Sequence, residues 1–423
     1  MANIILMPGG LDGRVTPPPS KSAAHRAIIC ASLSSGKSIL KPFFLCDDMS
    51  ATIRAMRALG AEIQVQNREL SVDGSSTFER KDTTVDCGES GSTLRFTIPV
   101  AAAGGGSFTF IGKGRLPSRP LGPYLDALPR AGVGLETHGG LPLRIKGRLQ
   151  PGRFELPGNV SSQFVTGLLL GLPLLDADSE IILSSPLESA GYVNLTIDVM
   201  RRFGVQVNTV ETGYIVKGNQ LYTPCNFLVE GDWSQAAFWL AAGALGSRIT
   251  CEGMNLNSLQ GDRRIAGLLR QFGARLTQDE SEISISADRL QGIDIDASQI
   301  PDLVPVLAVV AALSRGITRI RNAGRLRMKE SDRLSATTKM LNTLGAKVTE
   351  QEDGLMIEGV EELSGGTVDG CNDHRIVMAA AVASVKCSNP VIIIGSDCVN
   401  KSYPDFFEQY NRLGGNANVI HLG

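Results

Sequence analysis

Six stretches of the chain repeat one hydrophobic pattern: apolar residues at helical spacing, then a glycine, then a short alternation of apolar and polar residues. They read IRAMRALGAEIQV, LDALPRAGVGLET, IDVMRRFGVQVNT, IAGLLRQFGARLT, TKMLNTLGAKVTE and FEQYNRLGGNANV. The aligned glycines are Gly60, Gly132, Gly204, Gly273, Gly345 and Gly414, separated by 72, 72, 69, 72 and 69 residues. So regular a recurrence predicts six copies of one α/β unit. Within a copy, pairs such as Met56 and Leu59, or Val199 and Phe203, recur at helical spacing. The glycine sits where a helix needs a left-handed stop. The IQV or VQV that follows suits a half-buried strand.

Six units of about 70 residues fit two domains of three units each, and 423 residues are too many for one ordinary core. The centre of the chain, near residues 228–232, is the natural division. The predicted domains are residues 20–228, and residues 1–19 together with 229–423. The N-terminal segment is assigned to the C-terminal half because the two chain ends must supply a matching number of strands.

Composition narrows the class. Hydrophobic residues make up 43% and charged residues 20%, which is ordinary for a globular protein and excludes disorder or coiled coil as the main state. A net charge of -2, from 41 basic and 43 acidic residues, gives no general attraction to nucleic acid, although basic residues can still converge on a small anion. The opening MANIILMPGG does not read as a signal peptide. VPVLAVVAAL and FWLAAGALG are too short to span a membrane and read as buried helices. Eight scattered cysteines form no CxxC pair, which fits free thiols in a reducing cytoplasm. His25, His138, His374 and His421 form neither HxH nor HExxH, so no metal site is expected.

Several clusters carry candidate chemistry. In TPPPSKSAAHRA, Pro17, Pro18 and Pro19 stiffen the approach to a helix that Ser20 or Ser22 caps, placing Lys21, Ser22 and Arg26 near an N-terminus that attracts anions. A charged surface helix start is the plainer reading of the same residues. CGESGSTLRF holds Gly91, Ser92 and Arg95, with small residues that let a backbone approach an anion. It lacks the lysine of a nucleotide-binding P-loop. GRLPSRP offers Arg115 and Arg119 on a proline-bounded turn. NVSSQF offers Ser161, Ser162 and Gln163, as helix caps or phosphate ligands. IPDLVPVLAVVAAL places Asp302 at the start of an apolar helix, as a cap or as a half-shielded base. LRMKESDRL carries Arg325, Arg327, Lys329, Glu330 and Arg333, with Lys329 and Arg333 on one face if the segment is helical. NDHR adds Asp373, His374 and Arg375, and NKSYPDF adds Lys401. The cations Lys21, Arg26, Arg95, Arg119, Lys329, Arg333, Arg375 and Lys401, if gathered, suit substrates rich in phosphate and carboxylate.

At these residues the chain resembles the 5-enolpyruvylshikimate-3-phosphate synthase family. PPSKSAAHRA, SGSTLRF, SSQF, GDWSQAAF, MKESDRL and NDHRIVMA occur in the family's order, and the resemblance runs over almost the whole length. It implies a two-domain inside-out α/β barrel of six βαβαββ units, three per domain. It also implies an active site in a cleft that closes on shikimate-3-phosphate and completes the phosphoenolpyruvate site.

The implied reaction moves the enolpyruvyl group from phosphoenolpyruvate to the shikimate 5-hydroxyl, in a cytoplasmic monomer without cofactor, metal, nucleic acid or membrane. By resemblance Lys21, Ser161, Ser162 and Ser189 hold the shikimate phosphate. Ser22, Arg26, Gln163 and Tyr192 hold the ring, its carboxylate or its phosphate, and Lys329 joins the same substrate site. Lys21, Gly91, Arg119, Gln163, Arg333, Arg375 and Lys401 hold phosphoenolpyruvate. Asp302 contacts the ring hydroxyls, Glu330 sits beside the methylene carbon, and Lys21, Asp302 and Glu330 are the implied catalytic residues.

Two positions depart from the family pattern. Phe96 follows Arg95 where proline is usual, a ring that could shift the helix of Gly91 and Ser92, and Arg325 stands where asparagine is usual. Gly91 implies sensitivity to glyphosate. The sister enzyme acting on UDP-N-acetylglucosamine is the nearest alternative, but no cysteine lies between Cys87 and Cys225, where its reactive loop would be. A non-catalytic anion-binding relative would have lost the central lysines and carboxylates, which are all present.

Overall fold

The computed structural model describes residues 2–246 and 248–420; His421 lies outside them. The chain divides into two compact units. The first is Pro19–Val229, and the second joins Met1–Pro18 to Glu230–Gly423.

Each unit contains three four-stranded sheets, and all six sheets share one order. The copy that starts at Asp82 shows the pattern. Strand Asp82–Asp86 runs parallel to Gly106–Ile111, which pairs antiparallel with Leu143–Gly147, which pairs antiparallel with the outermost strand Gly134–Glu136. With helices Gly91–Gly104 and Gly122–Arg130 between the strands, the copy reads βαβαββ. Chain ends complete the other copies. Asn226–Leu228 pairs parallel with Lys37–Lys41 and so opens the first copy from the far end of the first unit. Asp12–Val15 does the same for Arg248–Cys251 in the second unit. Asn3–Met7 lies between Val391–Ile394 and Asn416–Ile420 in the last sheet.

The six repeat glycines all adopt positive φ, between 83° at Gly132 and 117° at Gly60, each just past a helix. The strands that follow them are more exposed than the sequence alternation implies. Arg275–Asp279 and Lys347–Gln351, for example, keep few buried positions, because each is the outermost strand of its sheet.

Two kinds of helix alternate. In the first unit Lys21–Ser32, Gly91–Gly104 and Ser162–Gly171 are buried on nearly every side. In the second unit Trp233–Ala244, Val304–Ala312 and His374–Ala383 are buried likewise. Their many alanines and glycines let helices pack closely, and the segments VPVLAVVAAL and FWLAAGALG lie here. Among the described residues no helix is long and apolar enough to cross a membrane. The helices that precede the repeat glycines, such as Ile265–Phe272, bury only one stripe. Each unit thus places helices inside and sheets outside around its own core.

The buried helices begin differently in the two units. Ser20, Ser90 and Ser161 cap those of the first unit, accepting hydrogen bonds from Ala23 N, Thr93 N and Gln163 N at 3.3, 3.2 and 3.3 Å. In the second unit Asp232 and Asp373 cap, accepting from Gln235 N and Arg375 N at 3.0 Å each. Val304–Ala312 is instead entered through the tight turn Pro301–Leu303, so Asp302 is not its cap.

The glycine stops yield a graded expectation. At Gly414 an added methyl meets nothing within 4 Å, so Gly414→Ala should cost only left-handed strain, about 1–2 kcal/mol. At Gly60 the methyl would fall 2.3 Å from Ser76 O, and Gly60→Ala should lower the melting temperature further. Thermal unfolding of the two variants checks the order.

Candidate active site

In the first unit the N-terminal turns of two of the three buried helices, Gly91–Gly104 and Ser162–Gly171, come together through side chains, and that of Lys21–Ser32 is tied to Asp47–Ala58. Lys21, the first residue of its helix, pairs through Nζ with Asp48 at 2.5 Å. Gln163, in the first turn of Ser162–Gly171, donates through Nε2 to Ser92 Oγ at 2.9 Å and accepts from Arg95 Nη1 at 2.6 Å. Arg95 also donates to Pro120 O at 3.0 Å and lies over the Phe164 ring, its guanidinium carbon 5.0 Å from the centroid. Arg95 therefore serves Gln163 and the loop next to Arg119 rather than standing free as a ligand.

Arg119 follows the turn Leu116–Ser118 and is 7% exposed, whereas Arg115, at the other end of that turn, is exposed. A Cβ built on Gly91 would lie 2.6 Å from Arg119 Nη1. The bare glycine is what lets this guanidinium lie against the helix end.

Arg26 is buried and fixed on three sides. It donates from Nε to Thr196 Oγ1 at 2.7 Å, from Nη1 to Ser22 O at 2.7 Å and from Nη2 to Tyr192 O at 3.0 Å. Burial pushes it down to about 10, still charged at neutral pH. The departure at Phe96 is accommodated within the helix, which runs unbroken through it, and the ring is buried. It lies 5.0 Å beneath the Arg26 guanidinium and meets His25 edge-on with ring centroids 6.3 Å apart. Ser161 is a cap, and Ser162 is buried at the first position of the same helix. Ser189 is buried and held left-handed at φ 56°, at the start of Ala190–Arg202, a conformation that serine adopts only when its surroundings impose it. Tyr192, one turn on, is half-buried.

The second unit gathers carboxylates around a buried guanidinium. Arg333, 1% exposed, donates from Nε to Asp373 Oδ2 at 2.8 Å, from Nη1 to Asp302 Oδ1 at 2.7 Å and from Nη2 to Glu330 Oε2 at 2.6 Å. Asp373 also accepts from Ser331 Oγ at 3.0 Å. Arg375 donates to Asp302 O at 2.9 Å and to Ser234 Oγ at 2.6 Å, and lies 3.4 Å from Asp302 Oδ2. Residues Ser234, Asp302 and Arg375 stand at the starts of the three buried helices, so these N-termini also converge. Lys401 donates to Asn372 O at 2.7 Å, just before the Asp373 cap.

Lys329 and Arg333 do not share a helix face. Asp332 accepts from Ser335 N at 3.1 Å and starts the helix at Arg333, leaving Lys329 in the preceding loop. The two cations meet through Asp302, whose Oδ1 lies 3.6 Å from Lys329 Nζ. Arg325 donates to Ser298 O, and Arg327 pairs with Asp332 and Glu350; both brace loops of this unit.

Charge balance fixes the protonation states. Burial alone would raise Asp302, but Arg375, Lys329 and Arg333 outweigh it and hold the carboxyl well below its ordinary range. The same balance, led by Arg333, lowers Asp373. Burial pushes Lys329 down to about 8, against the pull of Asp302. Two cation-lined helix clusters, one capped by serines and one by aspartates, make this an anion-handling enzyme fold with proton-transfer groups at hand.

The sequence reading missed Asp48, although it pairs with Lys21. The two lie 27 residues apart, and an aspartate in the first turn of a helix reads as an ordinary dipole partner. It also named Asp373 without a role, since only the fold sets it against Arg333.

Comparison with known proteins agrees with this picture. A family model described as EPSP synthase (3-phosphoshikimate 1-carboxyvinyltransferase) matches residues 6–410. A 3-phosphoshikimate 1-carboxyvinyltransferase of Clostridium kluyveri is 48% identical over all of both chains. One of Clostridium perfringens is 48% identical over 98% of this chain and 99% of its own. The solved EPSP synthase of Acinetobacter baumannii superposes with a TM-score of 0.85 at 26% identity, covering 100% of both chains. The fold and the reaction type are those of a carboxyvinyl-transferring enzyme, built as two inside-out α/β barrels of three repeats each. The chain belongs to the EPSP synthase (3-phosphoshikimate 1-carboxyvinyltransferase) family.

Removing Asp373 should expose how much the cluster depends on it. Breaking a buried ion pair costs about 3–5 kcal/mol, and because Asp302 and Glu330 remain on Arg333, Asp373→Asn should lie near the lower end. Denaturant unfolding measures it.

Proposed function

We propose that the chain moves the enolpyruvyl group of phosphoenolpyruvate onto the 5-hydroxyl of shikimate-3-phosphate by addition and elimination, with the two residue sets serving one substrate pair. The observation that carries this is Arg333. One buried guanidinium binds both Asp302 and Glu330, a carboxylate for the hydroxyl and one for the methylene carbon.

Shikimate-3-phosphate takes its phosphate on Lys21, Ser161, Ser162 and Ser189, and its ring and carboxylate on Ser22, Arg26, Gln163 and Tyr192, with Asp302 and Lys329 at the hydroxyls. Neutral serine caps favour that role, because they satisfy helix N–H groups without cancelling the positive helix ends. Phosphoenolpyruvate is held by Lys21, Arg119, Gln163, Arg333, Arg375 and Lys401, with its phosphate or carboxylate close to Gly91.

Glu330 gives a proton to the methylene carbon, turning it into a methyl group. The 5-hydroxyl attacks the adjacent carbon, and its proton passes to Asp302 or Lys21. The tetrahedral adduct then expels phosphate and loses a methyl proton, which restores the double bond. Asp302 is a weak base while three cations surround it. An anionic substrate that engages Arg375, Arg333 and Lys329 draws that charge away and strengthens Asp302 as the proton acceptor. The chain acts as a cytoplasmic monomer, consistent with phosphorylated small substrates and free cysteines. By the family resemblance, glyphosate should compete with phosphoenolpyruvate at the Gly91 helix end.

Phosphate release from phosphoenolpyruvate with shikimate-3-phosphate, beside the same assay with UDP-N-acetylglucosamine, tests the reading. Release with shikimate-3-phosphate alone, with formation of its enolpyruvyl ether, is expected; release only with the nucleotide sugar, or none from folded protein, would overturn it. Followed against pH, kcat/KM should fall as pH rises through about 8, where Lys329 loses its proton, and Lys329→Arg should move that limb upward.

A further inference from the structure

Below the Lys21–Asp48 pair lies a second link between the same two helices. Lys21 and His25 are one turn apart on Lys21–Ser32, and Asp48 and Thr52 are one turn apart on Asp47–Ala58. Lys21 meets Asp48 at 2.5 Å, and His25 Nδ1 shares a hydrogen bond with Thr52 Oγ1 at 2.6 Å. The two contacts form successive rungs of one ladder, the upper charged and the lower neutral.

The lower rung continues to a third helix. Thr52 Oγ1 shares a 2.7 Å hydrogen bond with Thr93 Oγ1, in the first turn of Gly91–Gly104. Thr93 N is in turn held by the Ser90 cap. His25, Thr52 and Thr93 are all buried, at 1%, 0% and 0% exposure. His25 is neutral, because burial, with Lys21 and Arg26 nearby, holds it well below its ordinary value. A helix–helix contact of apolar side chains tolerates small slides, whereas a hydroxyl bonded on two sides does not, since a broken buried hydrogen bond is costly.

We propose that Thr52 is a positioning residue for the transfer reaction: through its hydroxyl it sets the register of the helix that presents Lys21 against the helix that presents Gly91. It touches no substrate. It acts by keeping the Lys21 ammonium on Asp48 and the Gly91 helix end against Arg119. The inference rests on the proposed roles of Lys21 and Gly91.

Three variants test it in the steady-state assay, with melting temperature as a fold control. Thr52→Val keeps the shape and removes the hydroxyl. It should lower kcat/KM for phosphoenolpyruvate about 10-fold, whereas Thr52→Ser should restore it to within about 2-fold of the parent. Combined with Asp48→Asn, Thr52→Val should lose less than the product of the two single losses, because both act on the Lys21 pair and only the arm toward Gly91 is left for Thr52→Val to break. A Thr52→Val protein that melts lower but keeps both KM values and kcat, or losses that multiply in full in the double variant, would overturn the proposal. Should Thr52→Val fail to fold, Thr93→Val cuts only the arm toward Gly91. It should raise KM for phosphoenolpyruvate while leaving shikimate-3-phosphate affinity within about 2-fold, and an unchanged KM would count against the proposal. Lys21→Met is measured in parallel: full activity there breaks the site reading itself and leaves the rung aside.

Discussion

The proposed chemistry draws on the ends of six buried helices. A helix that begins inside a protein leaves backbone N–H groups that must find partners, and its dipole adds a partial positive charge to that end. Gln163 and Ser92 tie two such ends in the first unit, and Arg375, Asp302 and Ser234 tie three in the second. The first unit satisfies them with neutral serines and adds Lys21, Arg26 and Arg119, which suits anions. The second satisfies two of them with aspartates, Asp232 and Asp373, and pairs Asp373 with Arg333. One repeated architecture thus carries two kinds of cap, neutral in one unit and acidic in the other.

The same constraint explains the apparent excess of ion pairing around Arg333. Three carboxylates on one guanidinium would be wasteful at a surface, where such pairs contribute little. Buried, the arrangement holds Asp302, Glu330 and Asp373 in fixed positions on one guanidinium and gives each of them a hydrogen-bond partner. Arg95 plays a comparable supporting part for Gln163 and the Arg119 loop.

Much of the fold was legible because it is periodic. Gly60 to Gly414 announce six helix stops, and every one adopts the left-handed backbone that the sequence pattern demands. The alternation after each glycine identified strands but overstated their burial, since periodicity does not reveal which strand lies outermost in a sheet. Motifs placed Lys21, Gln163 and Asp302 at helix starts, because caps and prolines are local signals. The pairings that give these residues their electrostatics were not legible. Lys21 with Asp48, and Arg333 with Asp373, join segments that only the packing of the repeats brings together. The conditional placing of Lys329 and Arg333 on one helix face does not hold for a local reason, the Asp332 cap, which starts the helix after Lys329.

The proposed anion site depends on converging helix ends, with Gly91 left without a side chain so that Arg119 lies against its helix. The most direct measurement is KM for phosphoenolpyruvate in Gly91→Ala, with shikimate-3-phosphate affinity determined alongside. The added methyl would fall 2.6 Å from Arg119 Nη1, and the guanidinium, the end of a flexible side chain, would swing away without unfolding the unit. KM for phosphoenolpyruvate should rise about 10-fold, worth about 1.4 kcal/mol, with shikimate-3-phosphate affinity nearly unchanged. An unaltered KM in a folded Gly91→Ala protein would contradict it.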